Sequence, residues 1–484
     1  MFKSAVKFLV KDSAIYGIAG AVNKLLAVFT VPIVVRVLTK EEFGITSTVI
    51  GLSTFFVGFI MLGMDSSIAR WFFDNETDDI DYKKKITSIG FFIQLISLLF
   101  CLIGFYFLQD FIGGLLLDGN IELINYWKLY MFSIPATAFL LFSNNLFKWT
   151  FQRNKYLIIA IGNAVSTVSL TLIFLLIYNM NIYGVILAPV LSSSIFSLIG
   201  IYLGRDYLTT KNIWDVKLAK EMLIYGLPFA GIMIIGFFLP SVDRLFLIRF
   251  VDMESIGEYS VALKISGLLY LIVNAFQISF GPYAFSVWKK PEAKELFGKI
   301  MTLYFTLIIS VGVFFVIFGD LAISVFAGEK YLPALKLLPI LLIGISIKSL
   351  AEFSSLGINW SKKTYYNIFV TIIEFLILIL FNFLLTERFT LMGASLSILI
   401  SNLFYILITF YISNKFYKIK VDIKRIAGIL IIALLIDYLV LLEINPYLKY
   451  ILIIPYTFVI HRIVLSKEQR IEILNYVKIK SQKK

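Results

Sequence analysis

The residues of this sequence best placed to do chemistry are ionisable side chains deep in apolar stretches. Lys24, Arg244, Lys264 and Lys348 are basic; Asp243, Glu352 and Glu374 are acidic; and Asp243 directly precedes Arg244 in "FFLPSVDRLFLIRF". A charge at a bilayer centre costs about 2.5–3.5 kcal/mol on insertion scales, so such groups usually face a bundle interior or a water-filled cavity. In a wet cavity, Lys and Arg give charge-assisted hydrogen bonds to anions. Other chemistry lacks its parts. With one histidine, His461, and one cysteine, Cys101, metal sites of the His/Cys kind and nucleophilic triads are not expected. No Gly-rich loop ends in Lys-Ser or Lys-Thr, so ATP hydrolysis through a phosphate loop is not expected either. The sequence is read as a non-enzyme without metal or cofactor.

The elements that must carry these charges follow from hydropathy. Of 484 residues, 59% are hydrophobic and 15% charged, with a mean hydropathy of +0.89, which is the composition of an integral membrane protein. A spanning helix needs about 20 apolar residues. Some fourteen stretches qualify, near 13–36, 44–66, 86–108, 124–147, 156–178, 183–203, 222–250, 257–287, 297–318, 333–357, 364–385, 391–412, 426–442 and 447–465. The first follows lysines but shows no small-residue cleavage site, so it is read as a retained helix.

The formal charge of +13 is mostly topology. Alternate loops hold 32 of the 44 Lys and Arg, and the intervening loops hold six. This positive-inside pattern places both termini in the cytoplasm with an even number of spans. Nucleic acid is not expected as a partner; membrane lipids are.

An internal repeat organises the chain. "RVLTKEEFG" from Arg36 faces "RFVDMESIG" from Arg249 at an offset of 213, with Arg, Glu and Gly in register. "IYGIAG" from Ile15 faces "IYGLPF" from Ile224, and Tyr156 to Gly184 faces Tyr365 to Gly393, both at an offset of 209. The expected lobes are 1–203 and 223–412, joined by a cytoplasmic linker at 204–222, with two further helices and a basic tail at 413–484. Six helices in each lobe make the repeats parallel, and in transporters built this way the substrate site lies between the halves near the midplane.

The run "VDRLFLIRFVDMESIGEYSVALKI" from Val242, with the six-plus-six-plus-two helix plan and the basic linker, resembles the O-antigen-type polysaccharide flippase branch of the multidrug/oligosaccharidyl-lipid/polysaccharide (MOP) exporter superfamily. The resemblance covers essentially the whole chain. It implies an all-α, MATE-like fold in a bacterial inner or plasma membrane. It also implies export of an undecaprenyl-diphosphate-linked oligosaccharide to the outer leaflet, for O-antigen, lipopolysaccharide or other surface polysaccharide, by alternating access without ATP. Polymerases or glycosyltransferases of the same pathway are the implied protein partners. It further implies a central cavity lined by spans 1, 2, 7 and 8, with help from 4, 5, 10 and 11. The deep cations Lys24, Arg244, Lys264 and Lys348 lie on spans 1, 7, 8 and 10, where an anionic diphosphate would need them, and Asn163 on span 5 is a candidate for the sugar path. Asp243, Glu352 and Glu374 are supporting charges.

Plainer roles compete. Lys128, Lys336 and Asp65 sit near span ends, where snorkelling explains them. Lys348 and Glu352, four apart, share a helix face and pair with each other. Asp437 is read as a structural or subunit pairing, and the serines of spans 6 and 12 as small packing residues. Glycines and prolines of span 7, and Gly281-Pro282 of span 8, are candidate bending points. Three other functions fit the plan. A flippase for lipid-linked peptidoglycan precursor shares the cationic cavity. An ion-coupled multidrug exporter would be dominated by deep acids, and a membrane polymerase, ligase or glycosyltransferase would need a larger outer loop than those near 109–123 and 319–332.

Overall fold

The computed structural model describes residues 22, 25, 26, 28–74, 79–210, 215–442, 446–452 and 456, and among them there is no strand. Nine helical stretches among these residues are long and apolar enough to cross a membrane. Large apolar side chains point outward along them, such as Phe100 (71% exposed), Phe107 (76%) and Ile177 (69%). Lipid covers such surfaces, and the protein is a multi-pass membrane protein.

The described residues form two compact units, one within 1–260 and 382–394, the other within 261–381 and 395–484. In the first, α1 (Val28–Val37) is followed by a broken span: α2 (Lys40–Gly51), α3 (Phe56–Met61) and α4 (Met64–Asp74). Thr39 starts α2 through a capping box with Glu42, each backbone N–H donating to the other's side chain at 3.1 and 2.8 Å. The break before α4 falls at Leu62 and Gly63, both at positive φ. Gly63 is required there twice over, because a Cβ would also strike the carbonyl of Gly226. The span thus runs on to Asp74, and Asp65 lies in the first turn of α4 rather than at a span end.

α5 (Ile80–Leu116) is 37 residues long, about 55 Å at 1.5 Å per residue, and so outruns its apolar stretch at both ends. α6 (Ile121–Met131) and α7 (Ser133–Trp149) form one interrupted span. Pro135, lacking an N–H, cannot bond back to the carbonyl of Met131. α8 (Arg153–Leu176) and α9 (Asn181–Gly204) pack closely, with Phe196 against Gly162. α10 (Val216–Phe238) is capped by Asp215, which accepts from the Leu218 N–H and pairs with Lys85 at 2.8 Å. The Lys85 ammonium holds the Asp215 carboxyl below its ordinary value.

α10 runs unbroken through Gly226, Pro228, Gly231 and Gly236; its break is the 3-10 turn Leu239–Ser241 around Pro240. α11 (Val242–Phe250) follows, then α12 (Met253–Gly267), which Asp252 caps by accepting from the Ser255 N–H at 2.8 Å. These bonds to Ser255 depress the Asp252 carboxyl. The cap therefore contributes stability above the ordinary carboxyl value and loses it as pH falls through the depressed one.

In the second unit, α13 (Leu269–Val287) continues through Gly281-Pro282. A break falls at Leu268, between α12 and α13. α14 (Ala293–Ile317) and α15 (Gly319–Phe326) lead to a 3-10 segment, Glu329–Leu337, with Lys336 exposed on it. Span 10 is fragmented into α16 (Leu338–Lys348), α17 (Ala351–Ser354) and α18 (Leu356–Trp360). α19 (Tyr365–Asn414), whose segment 382–394 belongs to the first unit, reverses at Thr390, φ 48° and ψ −124°. The ring of Tyr366 meets that of Phe416 at the open end of this hairpin. α20 (Ile423–Leu441) and α21 (Pro446–Ile451) close the described chain.

In the first unit α2 and α12 cross with their backbones in close contact. A Cβ on Gly44 would strike the carbonyl oxygen of Met253, and one on Gly257 that of Lys40. One turn further, the Ser47 and Ser260 hydroxyls hydrogen-bond at 2.7 Å. Gly44→Ala or Gly257→Ala is expected to destabilise the protein by about 1–3 kcal/mol through overpacking, read as a lower unfolding midpoint in detergent. Gly428→Ala, whose Cβ would meet nothing within 4 Å, is the control and should leave the midpoint unchanged or slightly higher.

Candidate functional site

In the first unit the expected charged pair is a closed cluster. Pro240 ends α10, and the turn it forces starts α11 with Asp243 and Arg244 facing inward, 2% and 7% exposed. Asp243 accepts from the Arg244 backbone N–H at 2.9 Å and from its Nη1 at 3.3 Å, and its other oxygen accepts from the Tyr259 hydroxyl of α12. Arg244 Nη1 also donates to the Pro240 carbonyl at 3.3 Å. Its Nε is buried without an acceptor among the described residues, and its side chain lies close to Gly51 of α2, where a Cβ would press on it at 3.3 Å. A buried guanidinium is thus held by one carboxylate, with its Nε–H left without an acceptor among the described residues. Lys24 lies outside the described residues.

Around the α2–α12 crossing the charges are exposed to different degrees. Lys40 Nζ bridges Glu254 at 2.9 Å and Glu258 at 2.7 Å, and Glu258 is the more sheltered, 15% exposed against 58%. Glu258 was not singled out in the sequence, and Tyr259 and Ser260 entered only as part of the run that carries the family resemblance. The signal was present: Ser47 and Ser260 stand at the same offset of 213 as Gly44 and Gly257, so the repeat match extends one turn beyond the glycines.

Asn163 of α8 is tied to its neighbour α9: the Ser192 hydroxyl donates to its carbonyl at 2.8 Å and lies 2.9 Å from its side-chain oxygen. Lys128 pairs with Asp110 at 2.7 Å.

In the second unit the structure brings together two of the expected charges, though not the two that helical spacing suggested. Lys348 and Glu352 are four residues apart, but the helix breaks at Ser349–Leu350 between them. Lys348 instead reaches Glu374 of α19 at 2.5 Å, with its ammonium 3.2 Å from the centre of the Tyr405 ring. Glu374 is buried and Glu352 half-buried. Lys264, on the part of α12 belonging to this unit, is exposed and has a partner. On α20, Asp437 is 4% exposed, and its Oδ1 has no hydrogen-bond partner among the described residues. Groups of His, Cys, Asp and Glu able to hold a metal ion are absent among the described residues.

Comparison with known proteins agrees with this architecture. The family model described as polysaccharide biosynthesis protein matches residues 9–288. The capsular polysaccharide biosynthesis protein CapF of Staphylococcus aureus is 25% identical over 421 residues, 85% of this chain and 99% of that one. Among solved structures, the lipid II flippase MurJ in an inward closed conformation superposes with a TM-score of 0.70 at 16% identity, covering 92% of this chain and 97% of that one. An inward-facing multidrug resistance MATE transporter of the MOP superfamily gives 0.66 at 15% identity, covering 84% and 95%. These likenesses establish the all-α MATE-like fold.

The Asp243 cluster makes a stability prediction. Asp243→Ala strands a buried guanidinium, which costs about 3–5 kcal/mol where a buried pair is broken from one side. Asp243→Asn/Arg244→Gln removes both charges at similar volume and is expected to cost far less. Thermal unfolding of the two purified variants in one detergent checks the order; equal midpoints would refute the pairing.

Proposed function

This chain belongs to the polysaccharide biosynthesis protein family, and from that premise we propose that it moves an undecaprenyl-diphosphate-linked oligosaccharide from the cytoplasmic to the outer leaflet of a bacterial cell membrane. The reading is carried by deep cations on spanning helices with donors to spare. Arg244 keeps a buried Nε–H without an acceptor among the described residues, and Lys348 remains 24% exposed beside its carboxylate. A lipid-linked diphosphate needs such groups, because its charge cannot cross hydrocarbon unaided while its polyprenyl tail stays in lipid. Lys and Arg replace water at the phosphate oxygens through charge-assisted hydrogen bonds. Lys24, Arg244, Lys264 and Lys348 are proposed to meet the diphosphate and Asn163 the sugar, with Asp243, Glu352 and Glu374 setting the charge balance. The two repeats alternate access, and the membrane potential, negative inside, favours outward movement of an anion by up to about 2.3 kcal/mol per charge per 100 mV.

Lys24→Ala is expected to abolish surface polysaccharide in a strain deleted for the native gene, with protein level unchanged, and Lys24→Arg to restore it. Because Arg244→Ala would strand Asp243, the informative change at that site is Asp243→Asn/Arg244→Gln, which should also abolish surface polysaccharide at normal protein level. Full surface polysaccharide from both Lys24→Ala and the double variant would refute the cationic path. Accumulation of lipid-linked peptidoglycan precursor, rather than lipid-linked oligosaccharide, in the deletion strain would replace the proposed substrate with the cell-wall one.

A further inference from the structure

Lys348 and Glu374 are not equally sheltered. The Glu374 side chain is 3% exposed and that of Lys348 24%. Of the pair, Lys348 therefore offers the more surface to an arriving anion, and its Nζ is already bonded to Glu374. Lys348 is in the last turn of α16, the end of a helix that favours a cation. Tyr405 of α19 holds the ammonium over its ring, which lets the ammonium change its anionic partner without leaving the site.

The remaining groups around the carboxylate are sparse. Tyr270 of α13 and Tyr405 lie within electrostatic range of Glu374. Glu352 of α17 lies within range of Tyr405 and of Tyr304 of α14.

Resting on the proposed transport of an anionic lipid-linked sugar, we propose that Glu374 is a built-in competitor for the phosphate that Lys348 binds, and that Glu374 takes up a proton when the phosphate displaces it. In that exchange the Nζ–H···Oε1 bond to Glu374 breaks and an Nζ–H···O–P bond forms. Glu374, left without its cation in a buried site, binds one proton from water and becomes a neutral carboxylic acid, since a buried unpaired carboxylate neutralises rather than persists. When the phosphate leaves, the proton leaves and Glu374 reclaims Lys348. The competitor prevents the site from holding its anion too tightly to release it.

The test measures proton uptake on binding, by titration calorimetry of the full-length protein in lipid nanodiscs at pH 7, in two buffers of different ionisation enthalpy. The probe is undecaprenyl-diphospho-N-acetylglucosamine, whose phosphates are diesters that do not titrate near pH 7. Wild type is expected to take up about one proton per lipid bound. Glu374→Gln should bind the probe about tenfold or more tightly and take up none. Lys348→Gln/Glu374→Gln, which removes both charges of the pair, should bind weakly and take up none. Proton uptake that persists in Glu374→Gln, or an affinity of that variant equal to or below wild type, overturns the inference while the function stands. Wild-type protein that does not bind the anionic lipid overturns both.

Discussion

The crossing of α2 and α12 is the constraint on which much of this chain depends. Their backbones touch at two glycines, each lying on the carbonyl of the other helix's first residue, Met253 or Lys40. The two contacts exchange roles under the repeat offset of 213, as Gly44 maps to Gly257 and Lys40 to Met253. The starts of the two helices match as well, with Thr39 and Asp252 as their N-caps at the same offset. In a bilayer, where helices gain no hydrophobic drive toward each other, close approach at small residues is the main source of association. A side chain at either glycine would push the helices apart, and with them Asp243 and Tyr259, which are joined through the same part of α12.

The charges obey a second constraint. A buried cation without a partner would be expelled or neutralised, and in the described structure Arg244 and Lys348 each have a carboxylate at hand. Both pairs sit at a helix break, Pro240 before one and Ser349–Leu350 after the other. Breaks of this kind are tolerated in membranes where protein or water satisfies the freed backbone groups. They also turn a side chain out of the regular helical stripe, which is how Lys348 leaves the face it would share with Glu352.

That difference marks what was legible in the sequence. Hydropathy marked the chain as helical and membrane-spanning, with nine long apolar helices among the described residues, and the resemblance carried by Val242 to Ile265 pointed to the family and the MATE-like fold. The Asp243 and Arg244 charges were legible but their bond was not, because adjacent residues stand about 100° apart on a helix. The Lys348–Glu352 pairing was not, because i, i+4 spacing assumes an unbroken helix and nothing in "IKSLAEFSS" announces a break through Gly or Pro. At Gly281-Pro282 the proline costs one hydrogen bond, and α13 absorbs it without a break in the helix. Glu374 is 26 residues from Lys348, a separation that only the fold can close. The extended ends of α5 were hidden as well, since a capped polar turn at Asp79 continues a helix that hydropathy alone would stop.

The competitor role assigned to Glu374 bears on what drives export. A diester diphosphate carries about two negative charges, so moving it outward alone would gain about 4.6 kcal/mol from a 100 mV potential. Each proton that rides with it cancels one charge and reduces that gain to about 2.3 kcal/mol. Carrying a proton outward with the anion thus weakens the electrical drive in exchange for a site that binds firmly when Glu374 is protonated and lets go when it is not. A flippase whose cargo is consumed on the far side needs release more than it needs force. On that reasoning a carboxylate beside the cation serves turnover, whereas a bare cationic site would hold its lipid and stall.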